Sequence, residues 1–383
     1  MIPRHKTREV RCGSLVIGGN HPIWVQSLTT TKTSDVETTK AEIRLMLEAD
    51  CEIVRVSVFD IGDAQALGAI KKFLPAKVPL VSDIHFNTKL GLEAIKQGVD
   101  KVRLNPGNVG GKASVFDDEA KRREKEVAEA ALKAGICMRV GVNSGSVEQD
   151  LLDKHGWATA DAIVESAMRH CEWLEKCGMK DVVVSLKSTS METVIRAYLR
   201  FGKATDYPLH VGVTEAGLPE YGTIKSAVGI GRILLDGLGD TIRVSLTGDK
   251  RLEMVAGFNI LKATGRRVRE PEIVACPLCG RAAVQHERVV NELQKKIADI
   301  RVPMKISVLA CAVNGPGEAA EADIGAAGER GQWLLFKKGQ PLRRVKDADV
   351  VVELDKEIRM LAAEIAASGT PPGENPPTIV PKD

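Results

Sequence analysis

Short β-branched runs recur at fairly even spacing through the first two thirds of the chain, with helix-compatible segments rich in Glu, Lys and Arg between them. The runs are 23–29, 52–58, 79–85, 101–106, 137–143, 181–187, 208–214 and 241–247. Segments 36–49, 62–74, 115–134, 161–176 and 249–263 read as helices, several opened by Ser, Asp or Thr at an N-cap position. Eight alternating units over about 265 residues predict an α/β fold of the (β/α)8, TIM-type barrel class. An open doubly wound sheet is the rival arrangement. It usually has fewer parallel strands, and no Gly-x-Gly-x-x-Gly turn follows the first run. The 383 residues exceed what one core normally serves, so a second domain is expected beyond the barrel.

Successive strand residues point to opposite faces, so each run can be split by parity. One parity is aliphatic: Val54, Val56 and Val58; Val102 and Leu104; Val140 and Val142; Val182, Val184 and Leu186; Val211 and Val213; Ile242, Val244 and Leu246. This face packs on the helices. The other parity must then face the barrel interior, and it holds Arg55, Ser57, Asp83, His85, Arg103, Asn105, Arg139, Asn143, Ser185, Lys187, His210, Arg243 and Ser245.

Cations from five strands (Arg55, Arg103, Arg139, Lys187 and Arg243) would be costly to bury unpaired, since lost hydration costs several kcal/mol per ion. Asp83, Glu215 and Asp249 could pair with them internally. The alternative is a multi-anionic ligand at the C-terminal mouth, where such barrels place their sites and where guanidinium forks suit phosphate oxygens. No Gly-Lys-Ser/Thr phosphate loop occurs, so the phosphates would belong to a small metabolite rather than a nucleotide. The net charge of +3 and an aromatic content of 4% give no reason to expect nucleic acid as a partner. No uncharged apolar stretch long enough for a membrane span and no signal-like start are present, and a cytoplasmic protein is expected.

Beyond Lys262 the basic stretch Arg266, Arg267 and Arg269 marks a link, and the pattern changes. The expected organisation is a barrel over 1–264, a small α/β module over 265–367 and a disordered Pro/Gly-rich tail over 368–383. Within the module, a Cys loop at 275–281, a helix near 284–299, strands at 304–311 and 332–337, and a closing helix near 353–366 are predicted. Five of the eight cysteines (Cys12, Cys51, Cys137, Cys171 and Cys177) are scattered and read as inert small hydrophobes. The other three are spaced Cys276-Pro-Leu-Cys279, then Cys311. A structural zinc knot normally closes with four Cys or Cys/His ligands, and no His lies near the second half of this set. Three thiolates leave an open position, which favours a [4Fe–4S] cluster, with zinc or no metal as the alternatives. Glu318, just past a Gly-Pro-Gly loop, is a candidate fourth ligand through oxygen.

The runs Glu272-Ile-Val-Ala-Cys-Pro-Leu-Cys-Gly-Arg281, Cys311-Ala-Val-Asn-Gly-Pro-Gly-Glu318 and Ala322-Asp-Ile-Gly325 resemble those of the bacterial 4-hydroxy-3-methylbut-2-enyl diphosphate synthases. The likeness extends through the barrel in Val25-Gln-Ser-Leu-Thr-Thr30, Asp83-Ile-His-Phe86, Val102-Arg-Leu-Asn-Pro-Gly107, Arg139-Val-Gly-Val-Asn143 and Thr214-Glu-Ala-Gly217, and covers about residues 3–365. Leu278 stands where that family usually has Ser or Thr, and Ala312 where Val is usual. The large insert of plant-type members is absent, so the chain is similar to the compact bacterial form.

The resemblance implies an iron–sulfur reductase that opens 2-C-methyl-D-erythritol 2,4-cyclodiphosphate to the linear allylic diphosphate with two electrons from flavodoxin or ferredoxin. It implies that Arg55, Arg103, Arg139, Asn143, Lys187, Arg243 and Ser245 hold the diphosphate, and that Cys276, Cys279, Cys311 and an exchangeable Glu318 hold the [4Fe–4S] cluster. Glu215 is the implied proton donor, with Asp83 and His85 as further polar groups near the reacting carbons. A homodimer with an active site shared between subunits is implied too. The competing reading from the residues is a phosphosugar aldolase or pterin-type transferase on the same barrel, with structural zinc in the Cys module.

Overall fold

A computed structural model of the chain describes residues 2–85, 87–105, 116–311 and 321–368. The chain divides into two compact units, Met1–Thr264 and Gly265–Asp383. Among the described residues, no helix is long and apolar enough to cross a membrane.

The first unit opens with a hairpin of β1 (Val10–Cys12) and β2 (Leu15–Ile17). Eight strands follow: β3 (Trp24–Leu28), β4 (Ile53–Val58), β5 (Leu80–Ile84), β6 (Lys101–Leu104), β7 (Cys137–Asn143), β8 (Val182–Lys187), β9 (His210–Gly212) and β10 (Thr241–Arg243). All pair in parallel, in the order β8-β7-β6-β5-β4-β3-β10-β9. A parallel bridge between Val184 and Leu209 joins the two ends of the sheet, so the barrel class expected from the alternation is the fold observed. Asp35, Asp60, Asn87, Asp117, Thr159, Ser190 and Asp249 each cap a following helix, their side chains accepting a backbone N–H of its first turn.

The β8–β9 seam is thin, and a tyrosine hydroxyl reinforces it. Tyr198, fully buried on helix Met191–Ala204, accepts from the Leu186 N–H at 3.1 Å and donates to the His210 carbonyl at 2.6 Å. It thereby links the two strands where the regular ladder is interrupted. Tyr198→Phe removes both bonds inside a dry core and is expected to lower stability by about 2 kcal/mol, measured by thermal or denaturant unfolding. Unchanged stability would show that the bridge and packing alone close the seam.

Parity sorts the strands as anticipated. The aliphatic set, Val54 to Leu246, lies in the core layer between sheet and helices. The interior set is not polar along its whole depth, however. Ile53, Val81, Cys137 and Val183, the inward residues at the strand starts, form a separate apolar cluster with Val10, Cys12 and Ile17 of the hairpin. The hairpin plugs the N-terminal end of the barrel, and the cations stand above that layer. Cys12, Cys51, Cys137 and Cys171 are buried, and burial pushes the Cys51 thiol up to about 12, as suits an inert core thiol.

The second unit carries a five-stranded sheet of β11 (Glu272–Ala275), β12 (Lys305–Leu309), β13 (Ile324–Glu329), β14 (Gln332–Lys337) and β15 (Gln340–Lys346). β11, β12 and β13 run parallel, and β14 and β15 return antiparallel. Helices His286–Lys296 and Val350–Ala367 cover one face over Val289, Leu293, Ile306, Val308, Trp333, Leu335, Leu354 and Ile358. Of the predicted tail over 368–383, Ser368 caps the closing helix and residues 369–383 lie outside the described residues.

Candidate functional site

Strand register brings the interior cations together. Arg103 of β6 pairs in register with Arg139 of β7, and Asp83 of β5 with Arg103. Arg103 donates from Nη1 to Asp83 Oδ1 at 2.8 Å and from Nη2 to the Gly141 carbonyl at 3.1 Å, and its Nη1 lies 3.0 Å from His85 Nε2. Arg55 Nε is 3.5 Å from Asp83 Oδ2, outside good hydrogen-bond geometry. Burial opposes ionisation of Asp83, but Arg103 and Arg55 outweigh it and hold its carboxyl well below the usual range.

Asp83 cannot satisfy all the charge. Arg139 is fully buried, and none of its three guanidinium nitrogens has a hydrogen-bond partner among the described residues. Burial, then the charges of Arg55 and Arg103, push its pKa well below the usual arginine value. Burial, with the charges of Arg243 and Arg103, outweighs Asp83 and lowers Arg55 to about 9, and burial with four neighbouring arginines depresses Lys187 strongly. Arginine keeps its proton in proteins, so these shifts measure a demand for negative charge in the barrel.

Glu253 supplies a second carboxylate that the sequence reading did not pick out. It sits fully buried in the first turn of helix Lys250–Ala263, accepts from Lys250 Nζ at 2.8 Å, Leu246 N at 3.0 Å and Ser27 Oγ at 2.6 Å, and lies 3.7 Å from Arg243 Nη2. Its capture of the Leu246 N–H accompanies the early end of β10 at Arg243, short of the expected 247. Ser245, beyond the strand, is half-buried. Asp249, a suggested internal partner, instead caps its helix and pairs with Arg251. The signal for Glu253 was an acidic residue in the helix turn directly above the last strand, where a side chain can reach back into the barrel mouth.

A cavity of about 440 Å³ opens at the C-terminal strand ends, lined by His85, Asn105, Asn143–Ser146, Lys187–Thr189, Thr214 and Glu215. Asn143 and Lys187 are register partners on β7 and β8, and the Asn143 Oδ1 has no partner among the described residues. Glu215 is exposed and adopts φ +56°, a left-handed backbone unusual for glutamate and typical of functional positions. Its expected partnership with the buried cations is not seen; its backbone carbonyl instead accepts from Lys225 Nζ at 3.3 Å.

Gly141 explains how Arg103 fits. A Cβ at this position would stand 2.5 Å from Arg103 Nε, so only glycine leaves room for the guanidinium between β6 and β7. Gly141→Ala is expected to displace it and weaken binding of inorganic diphosphate about tenfold by calorimetry, the loss of one charge-assisted hydrogen bond. An unchanged affinity would place the anion away from Arg103.

In the second unit, Cys276, Cys279 and Cys311 line one cavity of about 190 Å³ with Pro277, Leu278, Arg281, Leu309 and Ala310. Cys276 follows β11, Cys311 follows β12, and the parallel pairing of those strands brings the two ends together. Leu278 takes φ +65°, which turns the Cys-Pro-Leu-Cys loop back on itself. The Ala310 N–H donates to Cys276 Sγ at 3.3 Å, the kind of backbone bond that supports a thiolate ligand. Soft donors sharing one half-buried cavity suit an iron–sulfur group. Among the described residues no three His, Cys, Asp or Glu side chains are placed to hold a single metal ion. Glu318 lies outside the described residues.

Residues 7–258 match the family described as GcpE TIM-barrel domain, and residues 272–360 that described as GcpE protein C-terminal domain. A relative from Bacillus mycoides, named 4-hydroxy-3-methylbut-2-en-1-yl diphosphate synthase (flavodoxin), is 47% identical over 367 residues, spanning 96% of this chain and 98% of its own. A relative of the same name from Bacillus cereus is 47% identical across 96% of each chain. Among solved structures, dihydropteroate synthase from Stenotrophomonas maltophilia aligns with TM-score 0.49 at 12% identity, over 67% of this chain and 97% of that one.

Proposed function

The chain belongs to the GcpE family, an enzyme family of iron–sulfur oxidoreductases in non-mevalonate isoprenoid biosynthesis, and from that premise we propose how its residues divide the work. The reaction is the reductive opening of 2-C-methyl-D-erythritol 2,4-cyclodiphosphate to 4-hydroxy-3-methylbut-2-enyl diphosphate. The barrel unit holds the diphosphate among Arg55, Arg103, Arg139, Lys187 and Arg243, with Asn143 and Ser245 completing the polar contacts. Buried Arg139, with no hydrogen-bond partner among the described residues, is the observation that carries this reading.

Asp83 fixes the Arg103 guanidinium and His85 against each other, so that the fork faces the ligand in one orientation. Glu215, exposed on the cavity rim, donates the proton that the departing oxygen takes up. Cys276, Cys279, Cys311 and Glu318 would hold a [4Fe–4S] cluster, which supplies the two electrons singly when bound. Flavodoxin is the electron donor in this reading, following the relatives' name, and the protein works in the cytoplasm.

The assembly is a homodimer with its active site shared between subunits. In support, helix Pro219–Leu235 leaves Tyr221, Ile224 and Val228 exposed at helical spacing, an apolar stripe suited to a second copy. Iron and sulfide determination on anaerobically purified protein tests the cofactor assignment: about four of each per chain is expected. Stoichiometric zinc would instead favour the aldolase or pterin-type reading.

A further inference from the structure

We infer that His170 is a positioning residue for the substrate cavity, holding the Asn143–Ser146 wall from behind through Glu148. This rests on the reading that the cavity takes the cyclic diphosphate. His170 lies on helix Ala160–Lys176, away from the barrel interior, and is 2% exposed. Its Nε2 is 2.8 Å from Glu148 Oε1, and its Nδ1 is 2.8 Å from Glu124 Oε1 on helix Asp118–Ala134. Both carboxylates are as deeply buried as the ring.

Carboxylate oxygens at hydrogen-bond distance from both ring nitrogens suit an imidazolium, which donates from each. A neutral imidazole would turn a lone pair toward one of them. Burial opposes the charge, and Glu124 and Glu148 outweigh it, carrying the His170 pKa up to about 9. The cation is therefore present throughout the neutral range.

What this trio holds is informative. Glu148 lies two residues beyond Ser146, whose hydroxyl is 2.9 Å from Asn105 Oδ1 and 3.1 Å from the Asn143 carbonyl. The wall segment is thus fixed at its front by the end of β6 and at its back by His170. Phe116, which precedes helix Asp118–Ala134, packs edge-on against the same imidazole with ring centroids 4.3 Å apart. One side chain therefore ties together the segments that follow β6 and β7, the strands carrying Arg103 and Arg139. Without the cation, two buried carboxylates would repel, and the cheapest relief is for Glu148 to move into solvent, taking the wall with it.

Steady-state kinetics, calorimetric binding of inorganic diphosphate and thermal melts on the iron-loaded protein test this. His170→Gln is expected to raise KM and the diphosphate Kd at least about fivefold while kcat stays within about twofold. Val127→Ala, in the helix–sheet core on the helix that carries Glu124, serves as the stability control and should lower the melting temperature with KM unchanged. A KM for His170→Gln no different from that of Val127→Ala overturns the inference. If His170→Gln does not fold, Glu148→Gln, which weakens the link without deleting it, should raise KM about twofold or more, and an unchanged KM is equally fatal. Wild-type protein that binds diphosphate without turning over the cyclic substrate would sink the reaction reading and leave the binding comparison to decide on His170.

Discussion

Arg139→Met is expected to raise the melting temperature of the substrate-free protein while lowering kcat/KM by about two to three orders of magnitude. The two effects have one cause. The guanidinium is fully buried beside Arg55 and Arg103, and no described residue answers its three nitrogens. Replacing such a buried ion with an apolar side chain of similar volume is often stabilising by about 1–4 kcal/mol. Removing it from a charge-assisted contact with a bound anion costs about 2–5 kcal/mol, and each 1.4 kcal/mol is tenfold. Thermal melts with and without substrate, alongside kinetics, check the pair. A lower melting temperature with normal KM would make Arg139 an internal structural residue and remove the diphosphate from its neighbourhood.

Cys311→Ser should leave the protein folded but hold less than about a tenth of the wild-type iron, with turnover lost. A serine hydroxyl is a hard oxygen that stays protonated near neutral pH, whereas a cluster needs a soft thiolate. The fold should tolerate the exchange because the second unit's main core, with Val289, Leu293, Trp333 and Leu354, lies apart from the Cys cavity. Iron and sulfide analysis, circular dichroism and turnover decide it. Arg139→Met is the complementary variant, expected to keep its iron while losing substrate. Full iron in Cys311→Ser would reassign the ligand.

The barrel was readable because a parallel sheet buried on its outer face makes the two-residue alternation nearly complete. Val54, Val56 and Val58 alternate with Arg55 and Ser57, and no other period fits. The hairpin that closes the floor was not readable, since three-residue strands such as Val10–Cys12 are too short to show alternation. β13 was hidden for a different reason. Its Gly325 and Gly328 are required by space, a Cβ on Gly325 meeting the Phe336 ring at 2.4 Å and one on Gly328 meeting Val284 at 2.4 Å, so packing overrides the low strand propensity of Ile-Gly-Ala-Ala-Gly-Glu.

At the candidate site, strand parity indicated which side chains point inward but not how they pair. Asp83 could be expected among the arginines, whereas Glu253 reaches them from a helix and Asp249 turns away to its own cap. Cys311 stands more than thirty residues beyond the Cys276–Cys279 pair, and only the parallel pairing of β11 with β12 places all three around one cavity. His170 gave no sequence signal at all, because its partners come from two other segments of the chain.

The central claim is that a cationic barrel interior presents a cyclic diphosphate for two-electron reduction. Its most direct test is anaerobic incubation of the iron-loaded protein with 2-C-methyl-D-erythritol 2,4-cyclodiphosphate and reduced flavodoxin, with the product identified by phosphorus NMR. The account predicts the linear allylic diphosphate, formed by the wild type and by neither Cys311→Ser nor, at low substrate, Arg139→Met. Substrate returned unchanged by iron-replete wild-type protein, or equal conversion by Arg139→Met, would contradict it.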